Sequence, residues 1–197
     1  MRLFVYFILV FFLVSCCFKK KHHEGRITRA NAMWMPDSCY AKLCMKEFGG
    51  STDTLKPQES PKGYVLTTTT ADCNEYLTEA QKIVYAAASS TPALGFEHES
   101  SENGEGFNVT VGKVGIRYNF KLQQSQPRTV DERTFESDYS MLDSLVVQNK
   151  TFRNVKLFAI KNTSILGDRE AINIWLAPHF GIVQYEEKGG LLHLQVQ

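Results

Sequence analysis

From Phe107 onward the chain alternates apolar and polar side chains: Phe107, Val109 and Val111, then Val114, Ile116, Tyr118, Phe120 and Leu122. A strict period of two is the pleat of a strand with one face buried. The phase slips by one at Gly112-Lys113. A two-residue type II′ turn there keeps all eight apolar side chains on one side of the sheet. Such a hairpin needs more strands beside it. The sequence predicts them at Leu142 to Gln148, Phe152 to Lys161, Ala171 to Ala177, Ile182 to Glu187 and Leu191 to Gln197. Short links such as Asn149-Lys150 and Lys188-Gly189-Gly190 favour antiparallel neighbours.

Upstream the period changes. In Asp72 to Ala88 the residues Tyr76, Leu77, Ala80, Ile83, Val84, Ala87 and Ala88 fall on one face at helical spacing. Asp72 and Glu75 are placed as a capping box. A shorter helix is expected over Ser38 to Phe48 and a loop over Gly49 to Gly63. A parallel sheet would place a helix between successive strands, which this pattern does not. The expected fold class is therefore α+β, mainly antiparallel β. A curved sheet or open half-barrel would pack around one amphipathic helix at 72–88.

The first residues give an address. Met1-Arg2 precedes the twelve apolar residues Leu3 to Val14, and Ser15, Cys16 and Cys17 follow. A bilayer core needs about 20 apolar residues, so this run has the length of a secretory signal. Leu13-Val14-Ser15-Cys16 resembles the lipobox of bacterial lipoproteins, which implies cleavage before Cys16 and a lipid on its sulfur. The expected organisation is a signal peptide at 1–15, a flexible tether at 16–30 and one β-rich domain at 31–197. The residue after Cys16 is not the aspartate associated with inner-membrane retention. The expected location is thus the cell envelope, at the outer membrane, facing the periplasm or the cell surface.

Loss of Met1 to Ser15 removes Arg2 and no acid, leaving 21 basic against 21 acidic residues. A neutral chain has no steering field for nucleic acid, and none is expected as a partner. With Cys16 lipidated, a disulfide among Cys39, Cys44 and Cys73 is allowed outside the cytoplasm. No cofactor is expected.

The run Trp175-Leu176-Ala177-Pro178-His179-Phe180-Gly181-Ile182-Val183-Gln184 is similar to the aromatic-x-Ala-Pro-Gly-x-Gly-x-Val-Lys hairpin near the end of TapB-like and related uncharacterised exported lipoproteins, many from Bacteroidota. Leu145 to Val155 looks like the hairpin that precedes it in those proteins. His179 stands where the family usually has its first glycine, and Gln184 where a lysine is common. Histidine is among the less penalised residues at a left-handed turn position. The resemblance implies a β fold more than an activity.

Catalytic signatures are missing from the sequence: it holds no Gly-x-Ser-x-Gly elbow, Walker loop, His-Glu-x-x-His or Gly-x-Gly-x-x-Gly. Glu97 to Glu105 reads as a solvated acidic loop, and His193 as exposed on the polar face of its strand. Trp34, Trp175, Phe180 and Tyr185 read first as core. Of these, Trp175, Phe180 and Tyr185, with His179, are also the candidate lining of a ligand site. The leading expectation is a non-enzymatic, lipid-anchored envelope protein that binds an apolar small molecule or an envelope protein on its curved sheet. An envelope hydrolase with a site near His179 is the first alternative, and a structural subunit of an envelope complex the second. A Cys16→Ala chain is expected to lose acylation and membrane retention. Intact mass and cell fractionation check this, and unchanged retention would overturn it.

Overall fold

The structure, a computed structural model, describes residues 21–36, 43–59, 62–69, 75–86, 92–101 and 104–196. Among these, fourteen strands join in one sheet. Its main path begins with β12 (Ser137–Val147), β13 (Lys150–Ile160), β14 (Ala171–Ala177), β15 (Gly181–Glu187) and β16 (Leu192–Val196). It continues through β2 (Leu43–Glu47), β3 (Thr52–Glu59), β5 (Glu75–Ala86), β6 (Leu94–Ser101), β7 (Gly104–Val111), β8 (Val114–Asn119) and β9 (Gln124–Gln126). Every neighbouring pair on this path is antiparallel. The two ends come back together where the hydroxyls of Ser125 on β9 and Ser137 on β12 hydrogen bond. The sheet is a nearly closed barrel, which leaves few strand edges unpaired.

Two strands lie off the path. β1 (Lys21–Glu24) pairs parallel with the start of β5, and β4 (Lys62–Thr69) pairs antiparallel with it. A separate hairpin, β10 (Arg128–Val130) with β11 (Arg133–Phe135), packs against β8. The one α-helix among the described residues is α1 (Arg29–Ala32), a single turn capped by Thr28.

The 107–122 hairpin forms as its alternation predicts. Val111 pairs with Val114 across Gly112, which has φ +59°. Phe107, Val109, Val111, Val114, Ile116 and Tyr118 are buried and Phe120 packs against the same core. Leu122 departs from the pattern: it is 52% exposed, because β8 ends at Asn119 and the chain turns away. The strands expected from Leu142 to the C-terminus are also present. The β12 and β13 strands start earlier than predicted.

The expected helix at 72–88 is instead β5 over Glu75–Ala86; residues 72–74 and 87–88 lie outside the described residues. Its later half carries both periods. Ile83 and Val84 satisfy the helical stripe, but Gln81, Ile83 and Tyr85 also alternate with Lys82 and Val84, and it is this second reading that burial follows. With strands on both flanks, the backbone gains two hydrogen-bonded ladders, and β-branched and aromatic side chains suit the pleat. The stretches read as a helix at 38–48 and a loop at 49–63 likewise contain β2, β3 and the start of β4. Among the described residues no amphipathic helix fills the barrel. Its core is built from the inward side chains of the strands, together with Trp34 and Met35 that follow α1.

The core divides in two. The larger cluster includes Phe107, Tyr118, Phe158, Ile174 and Tyr185, and the smaller one Val147, Phe152, Val155, Ala177, Val183 and Leu194. Asn154 at φ +55° interrupts the alternation of β13, so that Phe152 and Val155 both join the smaller cluster while Phe158 and Ile160 join the larger. The turn between β14 and β15 places His179 at φ +70°, as the left-handed position expected for it requires. Gly181 follows at φ +67°, where a Cβ would lie 2.8 Å from the Phe96 ring and 2.9 Å from Pro36. Gly181→Ala adds a left-handed backbone cost to an overpacked contact. It is expected to destabilise the fold by about 2–4 kcal/mol. A urea unfolding midpoint reads this, and a loss below about 0.5 kcal/mol would contradict it.

Candidate ligand cleft

Lys156 is the least expected residue of the interior. It sits on β13 in phase with Phe158 and Ile160, and only 3% of it is exposed. Burial of an ammonium costs several kcal/mol unless something compensates it. Its compensation is almost entirely aromatic. The Nζ lies 4.4 Å from the Trp34 ring centre, 4.2 Å from Tyr118 and 4.8 Å from Tyr139. It also donates a 2.9 Å hydrogen bond to the Tyr139 hydroxyl. Each ring face contributes about 0.5–2 kcal/mol of cation–π attraction. Burial pushes the Lys156 pKa down, and the Tyr139 contact opposes that shift.

Register explains the arrangement. Tyr139 stands opposite Phe158 and Met141 opposite Lys156, so Tyr139 and Lys156 are diagonal neighbours on one face of the hairpin. Tyr118 approaches from β8, its ring centre 4.8 Å from that of Tyr139, and burial pushes its phenol pKa up. Trp34 comes from the N-terminal segment and stacks on Phe107. These groups lie at a cleft of about 460 Å³, lined by Asn31, Glu105, Tyr118, Phe120, Tyr139 and Lys156, with Lys121, Gln123 and Met141 completing the wall.

Glu105 ties the N-terminal segment to this cleft. Thr28 donates its backbone N–H to Oε1 at 2.9 Å, and Asn31 Nδ2 donates to Oε2 at 2.7 Å. His98 Nε2 lies 2.9 Å from Oε1 at ion-pair distance, while its Nδ1 has no partner. Ile27 N–H reaches Glu79 Oε2 at 2.8 Å. From Lys21 onward, the stretch read as a spacer is thus paired with β5 or hydrogen bonded to the barrel. The segment 97–105, read as a solvated loop, contributes instead to β6 and β7, and His98 and Glu105 are buried within it.

The residues singled out in the sequence do not meet at one place. Tyr185 is fully buried in the larger core, stacked on His193 at 4.3 Å. Trp175 and Phe180 pack on the smaller core, and Phe180 also lies edge-on to Phe152 with Lys150 Nζ 3.9 Å above its ring. His179 is exposed, its backbone N–H bonded to the Met33 carbonyl. None of the four lines the cleft at Lys156. Cys44 is a free thiol 3.8 Å from the Thr54 hydroxyl; Cys39, Cys73 and the lipobox at Cys16 lie outside the described residues. Lys156 itself was visible in the sequence as a cation in phase with Phe158 and Ile160 on a predicted strand. Its partners Trp34, Tyr118 and Tyr139 are 17 or more positions away, and nothing local connects them.

His193, expected on the polar face, is buried at 1% exposure because that face of β16 is covered. Its Nε2 bonds Glu187 Oε1 at 2.8 Å, and Arg169 reaches both Glu187 and Glu47 at 3.1 Å. Burial holds both His98 and His193 below the ordinary imidazole value, with Glu105 and Glu187 respectively opposing the shift. An unfolded chain takes up these protons near pH 6.5, whereas the folded one does so only at lower pH. The two sites therefore leave stability intact above about pH 6.5 and erode it as the pH falls further. His98→Gln and His193→Gln are each expected to reduce that acid slope by up to about 1.4 kcal/mol per pH unit. Urea unfolding at several pH values between 5 and 8 measures it, and unaltered slopes in both variants would refute the assignment. Compared with known proteins, the chain matches no family model, no curated protein and no solved structure.

Proposed function

We propose that this chain is a binding protein whose barrel mouth holds a small molecule with an apolar body, and that a lipid on Cys16 presents it at a cell envelope. The observation that carries the binding half is the 460 Å³ cleft, in which Tyr118, Phe120, Tyr139 and Met141 offer apolar area beside the polar Asn31, Glu105, Lys121, Gln123 and Lys156. Concave sites of this size that combine apolar surface with convergent polar groups are where small ligands bind. The envelope half rests on the lipobox-like Leu13-Val14-Ser15-Cys16. The likeness of the 175–184 hairpin to exported β lipoproteins supports the same address.

Met141 is half exposed on the rim, so a larger side chain there fills the cleft without entering the core. The full chain in lipid nanodiscs, with empty discs as blank, is expected to give saturation-transfer NMR signals from some members of a panel of water-soluble aryl and alkyl compounds. Met141→Trp is expected to weaken those signals at least about fivefold, the share of one buried apolar contact of about 1 kcal/mol. If no compound binds, or if binding ignores the filled cleft, the proposal fails.

A further inference from the structure

Among the described residues, the buried carboxylates each have a cation or an imidazole beside them: Glu187 faces Arg169 and His193, and Glu105 faces His98. Among the described residues Lys156 differs: its contacts are a phenol hydroxyl and three ring faces, and no carboxylate lies within ion-pair distance. Glu105 shares the cleft but makes no ion pair with Lys156; its oxygens face Thr28, His98 and Asn31 instead. Lys121 on the same wall adds a second positive charge. The cleft thus holds a cation that is nine-tenths buried, faces open space and has no fixed counter-ion.

We infer that the ligand is a monocarboxylate with an apolar body, whose acid group supplies the counter-ion that Lys156 lacks. This rests on the binding reading above and specifies its ligand class. The match is one of number and shape. The ammonium and the Tyr139 hydroxyl, 2.9 Å apart, present donors to the two oxygens of one carboxylate. A phosphate would leave most of its oxygens against ring faces, which present negative charge. The body of the acid then lies along Tyr118, Phe120 and Met141. Burial that lowers the Lys156 pKa in the empty protein is offset once a carboxylate lies beside it.

The test compares 3-phenylpropionate with 3-phenylpropanol by isothermal titration into the full chain in nanodiscs at neutral pH. The acid is expected to bind at least about tenfold more tightly, the equivalent of one charge-assisted hydrogen bond. Lys156→Met is expected to abolish the preference while alcohol binding persists, and Lys121→Met to retain most of it. Equal affinity for acid and alcohol in the native chain overturns the inference and leaves the cleft a general apolar site. A preference that survives Lys156→Met also overturns it. The native comparison decides the matter without any variant should Lys156→Met fail to fold. Absence of binding by either compound removes both this inference and the reading on which it rests.

Discussion

Closure of the sheet is the constraint on which the other features depend. A sheet whose last strand returns to its first satisfies nearly all of its backbone donors and acceptors internally, and it encloses whatever its inward residues present. Here the ends meet through Ser125 and Ser137. The inward positions of its strands must therefore fill a common space. They do so with large rings: Phe107, Tyr118, Tyr139 and Phe158 lie with centres about 5–6 Å apart, mostly in tilted and edge-on arrangements. Among the described residues such an interior holds no helix, and Trp34 packs against Lys156.

How much of this was legible depends on whether the deciding interaction was local. The 107–120 hairpin was legible because its turn, alternation and burial all agree within fourteen residues. The left-handed backbone at His179 followed only from the resemblance to a hairpin that has glycine at that position. Glu75–Ala86 was not. Its apolar residues fit two periods, and the choice between them was made by β3, β4 and β6, which a single segment cannot reveal. Strand propensity depends more on neighbours than helix propensity does, and misreadings of this kind fall on strands flanked on both sides.

The site was less legible than the fold. Charged residues at 97–105 and His193 look solvated when counted by composition. His98 and His193 are buried because strand pairing sets them beside Glu105 and Glu187, and Glu105 in turn takes Thr28 and Asn31 from far along the chain. The aromatic residues that drew notice at 175–185 belong to two separate cores. Lys156 escaped notice because its aromatic surroundings come from positions 34, 118 and 139, which only barrel closure brings together.

The N-terminal segment joins these threads. Asn31 lines the cleft and Trp34 packs on Lys156, yet both belong to the same stretch that leads back to Cys16. Under the proposed anchor, five peptide units separate Cys16 from Lys21, where β1 begins to pair with β5. Fully extended, they reach about 18 Å. That is shorter than a small domain is wide, so an acylated Cys16 would hold the β1 side of the barrel against the headgroups and restrict its rotation. A long flexible tether would have uncoupled the barrel from the bilayer. Under the proposed anchor a short one would fix which side of the barrel faces it, and the segment that follows it from Lys21 is also the one that Glu105 holds at the cleft.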